Sequence, residues 1–389
     1  MKVLIGAVGL GKYTGTTYSF EDGSQQAADY FLYALTQHVK PDRLIVIATE
    51  AAKQTALPEL EEWIALENVP ITVVDIPNGK DRNEAWTIFN AIVAKYDELY
   101  PVSAAQPEVY IDVTNGFRSI PILMLSVARY LQRSRRMDLR GIYYGAFDAS
   151  RDELLKPVYQ VDSFITVLDW ATAVDTFLTT GNSLQLAEML DTQTLYIDRA
   201  DRIANALRDL SEALDLVRIE EVHQQAHELV QAIAGANIQD MTDEYRIIRE
   251  LLYRLESEFQ PLAMCDTRAN LTEFLRKNLK LILWYFKRNR YQDSMLVARE
   301  WMLTYKMQHK NAKNNRTYSA AEIFERENRD SEQGDYKWNS QDKKKLHREI
   351  NEVRNSLAHG GFADGETSAS MVARINSVIA NLQKLETVL

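Results

Sequence analysis

Apolar and polar positions along the first 162 residues alternate between two periods. Five short runs, Lys2 to Val8, Arg43 to Thr49, Ile71 to Pro77, Glu108 to Val113 and Leu139 to Phe147, are rich in Val, Ile and Tyr. Each is bounded by Gly, Pro, Asn or Asp, which predicts strands. Between them Ser24 to Val39, Leu57 to Leu66, Asp81 to Leu99 and Ile120 to Gln132 have helical length. The alternation predicts an open parallel sheet with helices on both faces, and Leu154 to Tyr159 reads as an antiparallel partner that closes it. From Ser163 the period is helical. Phe164, Val167, Leu168, Ala171, Val174 and Leu178 make one apolar face until Gly181-Asn182, a helix stop. The expected organisation is an α/β Rossmann-like domain over residues 1–162, acidic amphipathic helices over 163–270 and an all-α domain over 271–389. Within the last, Leu271 to Phe286 and Tyr291 to Met307 are strongly apolar helices. Residues 308–345 are polar without a sustained period and read as an insertion that touches RNA through Lys343, Lys344 and Lys345 or is merely solvated.

Composition narrows the picture only slightly. A chain of 389 residues suits two or three domains with proper cores. The net charge of -10 is unevenly spread: acids dominate 166–270, whereas Lys and Arg dominate 271–350, where they could attract a polyanion or simply be solvated. The lone cysteine, Cys265, excludes an intramolecular disulfide and a Cys-cluster metal site, in keeping with a reducing compartment. No metal site is expected. His223 and His227 are four apart but lack a third ligand, and read as an ordinary exposed helical pair. Without a signal peptide or an apolar run of membrane-spanning length, the expected location is the cytoplasm.

Candidate chemistry gathers where strands end. In an open α/β sheet ligands sit beyond the carboxyl ends of the strands, which here are followed by Gly9 to Thr14, Thr49-Glu50, Asn78-Gly79 and Thr114 to Arg118. The fourth loop belongs to Asp112 to Pro121, DVTNGFRSIP, a strand, a sharp turn and a helix start that leave backbone N–H groups facing an anion. Thr114, Asn115 and Ser119 add donors, Gly116 permits close approach and Arg118 is a phosphate-type cation. The alternative is a plain strand-to-helix connection with Ser119 as N-cap. A dinucleotide fingerprint at Gly9, Gly11 and Gly15 fits poorly: the third glycine is one residue late, and Glu50 lies almost twice as far on as that pattern requires.

The first strand with Gly9-Leu10-Gly11-Lys12-Tyr13, then DVTNGFRSIP, then Tyr144-Gly145-Ala146 resemble the CARF sensor domains of type III CRISPR-associated proteins. Arg354-Asn355-Ser356-Leu357-Ala358-His359 is similar to the R-x-x-x-x-H motif of HEPN ribonucleases. Together they resemble the CARF-HEPN ancillary ribonucleases of the Csx group. That resemblance implies a homodimer or higher oligomer that needs no cofactor and cleaves single-stranded RNA without a metal. Its activator would be a cyclic oligoadenylate made by a type III effector complex, with cyclic tetra-adenylate as the expected ring. The implied ligand residues are Gly9, Gly11, Lys12, Tyr13, Asn78, Thr114, Asn115, Gly116, Phe117 and Arg118. Asn115 stands where the family pattern often has histidine, which leaves ring size and ring cleavage open.

Leu346, Ile350, Val353 and Leu357 form an apolar stripe at helical spacing, with Arg354 on its flank and Asn355 and His359 nearly opposite. Gly360-Gly361 ends the helix, so His359 lies at its carboxyl end, where a cation is favoured. Arg354 and His359 diverge by roughly 140° around an ideal helix, so one motif does not close a pocket alone. The resemblance implies that two copies do. Arg354 would then stabilise phosphorane charge, His359 serve as acid or base, and Asn355 hold the histidine or a phosphate oxygen. Glu300, an acid within an apolar helix, is expected either to hold a cation such as Arg354 or to be a partly exposed surface acid. Two other readings are a sensor or adaptor without catalysis and a sensor domain that degrades its own ring.

Overall fold

The structure, a computed structural model, describes residues 1–10, 15–101, 105–116, 119–147, 155–193, 197–236, 243–267, 270–311, 341–360 and 365–386, and of residues 243–245 and 307–311 the backbone only. The first elements are β1 (Lys2–Ala7), β2 (Thr17–Ser19), β3 (Gln25–Ala27), α1 (Phe31–Val39), β4 (Arg43–Thr49), α2 (Glu50–Ala65) and β5 (Ile71–Ile76). They are followed by α3 (Arg82–Leu99), β6 (Glu108–Asp112), α4 (Ser119–Arg135), β7 (Asp138–Gly145) and β8 (Leu155–Gln160). The strands form one sheet in the order β3-β2-β8-β7-β6-β1-β4-β5. The five apolar strands pair in parallel, β8 runs antiparallel to β7 and β2 runs parallel to β8. Because β1 lies between β4 and β6, the strand order reverses there and opens a crevice at the carboxyl ends of the three. Side chains alternate across the sheet: Val3, Ile5 and Ala7 face a core with α3 and α4, while Leu4 and Val8 face one with α1 and α2.

The remaining elements are helices: α5 (Asp162–Thr180), α6 (Leu184–Asp191), α7 (Ala200–Asp215), α8 (Ile219–Ala234), α9 (Asp243–Phe259), α10 (Leu271–Lys287), α11 (Tyr291–Asn311), α12 (Gln341–Ala358) and α13 (Ser368–Glu386). The chain divides into two compact units, Met1–Thr166 and Val167–Leu389. In the second, Leu207, Leu229, Leu255, Ile282 and Trp301 are among the residues of a single continuous core. No described helix is long and apolar enough to cross a membrane.

Four local expectations are corrected. Gln25–Ala27 is a strand rather than the start of a helix, paired antiparallel with Thr17–Ser19. Helix α2 begins at Glu50, seven residues before the expected start, because Thr49 caps it by accepting the Ala52 N–H and its early apolar positions are alanines. On α5 Val174 and Leu178 of the expected face are buried, together with Trp170, Ala173 and Phe177, but Phe164 and Leu168 are exposed, so the first turns of the expected face lie outside the buried stripe. Residues Gln341 to Lys345 are helical, and Lys343 is tied to Tyr305 through its hydroxyl at 2.7 Å and its ring at 4.8 Å. The rest of the expected insertion, residues 312–340, lies outside the described residues.

Candidate functional site

The crevice beside β1 contains a hollow of about 200 Å³ lined by Val8, Gly9, Leu10, Ile47, Thr49, Ala52, Ile76, Thr114, Asn115, Gly116 and Ile120. Three strand-end loops therefore meet there. A Cβ built on Gly9 would stand 3.3 Å from the Gly116 nitrogen, so the loops after β1 and β6 touch backbone to backbone. Gly116 has φ +109° and lies against Ile120 in the first turn of α4. That conformation strains an L side chain, so glycine is required at this turn. Asn78 does not line the hollow; its neighbour Gly79 packs near Ser119 Oγ instead. Gly11, Lys12, Tyr13, Phe117 and Arg118 lie outside the described residues.

Beneath the loop sits a residue that the sequence reading left out of its site. Asp112 is fully buried, and its Oδ1 accepts the Thr114 N–H at 2.7 Å while Oδ2 has no hydrogen-bond partner. Burial pushes its carboxyl up to about 7, against the lowering effect of the Thr114 hydrogen bonds. Thr114 in turn accepts the Gly145 N–H on its Oγ1 at 2.8 Å. The loop is thus braced from below by β6 and from the side by β7. Gly6 leaves room for the carboxyl: a Cβ there would be 3.3 Å from Asp112 Oδ2.

The C-terminal motif lies on α12. Leu346, Ile350 and Val353 are buried and Leu357 packs against the same core, so the apolar stripe sets the helix's rotation. The His359 N–H still reaches the Asn355 carbonyl at 3.0 Å, and Gly360 follows at φ +63°, which ends the helix. Asn355 and His359 are exposed, and Arg354 is half-buried, donating from Nη1 to Asn355 Oδ1 at 3.0 Å. The Arg354 Nε is buried with no hydrogen-bond partner among the described residues. Glu300 does not hold Arg354. It pairs with Arg299, its chain neighbour, while Asn355 accepts from the Arg354 guanidinium.

His347 escaped notice in the sequence because it lies seven residues before Arg354, outside any motif. Asn351 Nδ2 approaches its Nε2 at 3.4 Å, and burial, reinforced by Lys306 and Arg299, pushes its pKa down to about 4. Between α12 and α13 runs a groove of about 770 Å³ whose lining includes Lys345, Arg348, Glu352 and Arg374. His223, expected to be exposed, is buried: Nδ1 donates to the Leu262 carbonyl at 2.8 Å and Nε2 meets the Asn278 side chain at 2.5 Å. Nε2 thus ties α8 to α10, and Nδ1 ties it to the segment that follows α9. Among the described residues no three His, Cys, Asp or Glu side chains converge as a metal site.

Comparison with known proteins adds independent findings. Residues 3–148 match the family model of the CARF domain of the CRISPR system endoribonuclease Csx1, and residues 166–262 match that of the second domain of the CRISPR-associated protein MJ1674. MJ1674 itself, from Methanocaldococcus jannaschii, is 24% identical over 287 residues, a match covering 59% of this chain and 43% of that protein. Among solved structures, Enterococcus italicus Csm6 bound to cyclic hexa-2'-fluoro-hexa-dAMP aligns with a TM-score of 0.49 and 12% identity, over 99% of this chain and 93% of that one. The two family matches end before α11 and α12.

Proposed function

The chain is a CARF-containing CRISPR ancillary protein, and from that premise we propose that it is a cyclic-oligoadenylate-activated endoribonuclease acting as a homodimer. The observation that carries the sensing half is the braced loop: Asp112 and Gly145 hold Thr114 so that Gly9, Asn115 and Gly116 converge on one hollow at the start of α4. Backbone N–H groups there suit a phosphate ester, and Lys12 and Arg118 add charge from the same loops.

The catalytic half rests on Arg354, Asn355 and His359 at the capped end of α12. An exposed imidazole can move the proton of a ribose 2'-hydroxyl, and a guanidinium oriented by Asn355 can stabilise charge at phosphorus. No metal enters this scheme. In-line attack by the 2'-hydroxyl forms a 2',3'-cyclic phosphate and breaks the bond to the 5'-oxygen, which leaves as a 5'-hydroxyl; two motifs facing each other across a dimer axis supply the base that takes the 2' proton and the acid that protonates the 5'-oxygen. Ring binding raises the fraction of dimers with well-placed His359 side chains; a coupling of about 3 kcal/mol changes that fraction roughly 150-fold.

The experiment combines the purified protein, labelled single-stranded RNA and a panel of cyclic oligoadenylates. Cleavage should appear only with a ring, persist in EDTA and fall by about 100-fold or more in His359→Ala and Arg354→Ala. Undiminished cleavage by His359→Ala, or loss of wild-type cleavage in EDTA, would overturn the mechanism.

A further inference from the structure

Lys156 is the second residue of β8, and its side chain is only 4% exposed. The strand's burial pattern turns Lys156 and Val158 to the α1 face, where Val158 joins the core with Tyr18 and Phe31. A lysine so placed normally has a carboxylate partner, because an ammonium removed from water loses hydration that only an opposite charge or good acceptors replace. Among the described residues Lys156 has neither a hydrogen bond nor an ion pair; its Nζ stands 5.1 Å from the centroid of the Phe147 ring. Such a cation–π contact returns only part of what burial takes away. A methionine or leucine would fill the same space without that cost, so packing alone does not account for lysine here.

Its place in the sheet supplies a reason. Because β8 runs antiparallel to β7 and Val158 pairs with Gly145, Lys156 lies beyond Gly145, at the carboxyl edge of the parallel strands. Gly145 is also the residue whose N–H holds Thr114, and the next residue, Ala146, donates to the Pro157 carbonyl at 2.9 Å. The loop of the hollow and the strand of Lys156 are therefore tied through the same two residues of β7. Two strand spacings, roughly 10 Å, separate β6 from β8. A ligand with a single phosphate in the hollow would not span that distance, whereas a ligand bearing several phosphates along a backbone would.

We propose that Lys156 is a second anion subsite of the sheet-edge site, contacting a phosphodiester of a polyphosphorylated nucleotide ligand whose nearer part occupies the hollow at Thr114 and Gly116. The inference rests on the sensing reading given above and extends it to a strand that reading did not use.

The test is calorimetry of the full chain with cyclic tetra- and hexa-adenylate at two salt concentrations, comparing the wild type with Lys156→Met, Lys156→Gln and Lys156→Arg. Both neutral variants should keep the wild-type fold, with an equal or higher Tm since a buried charge is gone. They should bind the ring about tenfold or more weakly, with a shallower salt dependence, as expected when one phosphate contact is lost. Lys156→Arg should retain most of the affinity. Unchanged affinity and salt dependence in a folded Lys156→Met or Lys156→Gln protein would overturn this inference alone. A wild type that binds neither ring nor linear oligoadenylate would overturn the sensing reading and this inference with it.

Discussion

Asp112 shows how much a single buried group can govern at this sheet edge. Its carboxyl holds Thr114, and burial raises its pKa from 3.8 to about 7. A raised carboxyl pKa means that the folded state holds the proton more tightly than the unfolded chain. The resulting stabilisation is full below about pH 4 and is lost as the pH rises through about 7. Asp112→Asn keeps an acceptor for the Thr114 N–H and cannot ionise. The variant should therefore gain stability relative to the wild type as the pH rises from about 4 to about 8, by no more than about 4 kcal/mol. Urea denaturation across that range reads the difference; a gap that does not change with pH would mean the carboxyl ionises in its ordinary range. At this scale the sequence was legible in part. Gly9, Thr114, Asn115 and Gly116 do converge, whereas the burial of Asp112 and the pairing of Glu300 with Arg299 follow from neighbours that a linear pattern does not identify.

At the scale of elements, α12 divides its labour by face. Ile350 is fully buried in the helical core, and His359 projects at the exposed, glycine-terminated end. Truncating Ile350 to alanine should cost about 2–5 kcal/mol of stability, while His359→Ala should stay within about 0.5 kcal/mol. Equilibrium unfolding of both variants checks this. A large stability loss in His359→Ala would remove its value as a probe of chemistry. The stripe of α12 was readable because it is long and its residues are large. The three-residue strands β2 and β3 were not, since so short a run has no period, and α2 was read late because Ala52 and Ala56 weigh little as hydrophobic markers. In α13 Met371, Ile375, Val378, Ile379 and Leu382 repeat at helical spacing and are buried.

For the whole molecule, the proposed switch requires sensing and cleavage to be separable. Calorimetry should find one ring per two chains, because identical half-sites around a two-fold axis match a ligand with repeat symmetry. One independent ring per chain would refute a shared site. Arg118→Ala should need far more activator yet approach the normal cleavage plateau, and His359→Ala should bind the ring with wild-type affinity. An unchanged activator dose-response in Arg118→Ala with a lowered plateau would assign that loop to catalysis instead of sensing.

Periodicity alone determined the five apolar strands, that they make a parallel sheet, and which face of α12 is buried. These properties are local, set by side chains two, three or four positions apart. Only the tertiary structure decided that Asp112 is sealed beneath its own loop, that Lys156 is buried at the carboxyl edge of the parallel strands, and that Phe164 and Leu168 remain exposed on α5. Those outcomes depend on which elements lie against one another. Gly6 and Asp112, or Thr114 and Gly145, are neighbours through strand pairing and side-chain contact between residues far apart in the chain, so their burial and charge state belong to the fold.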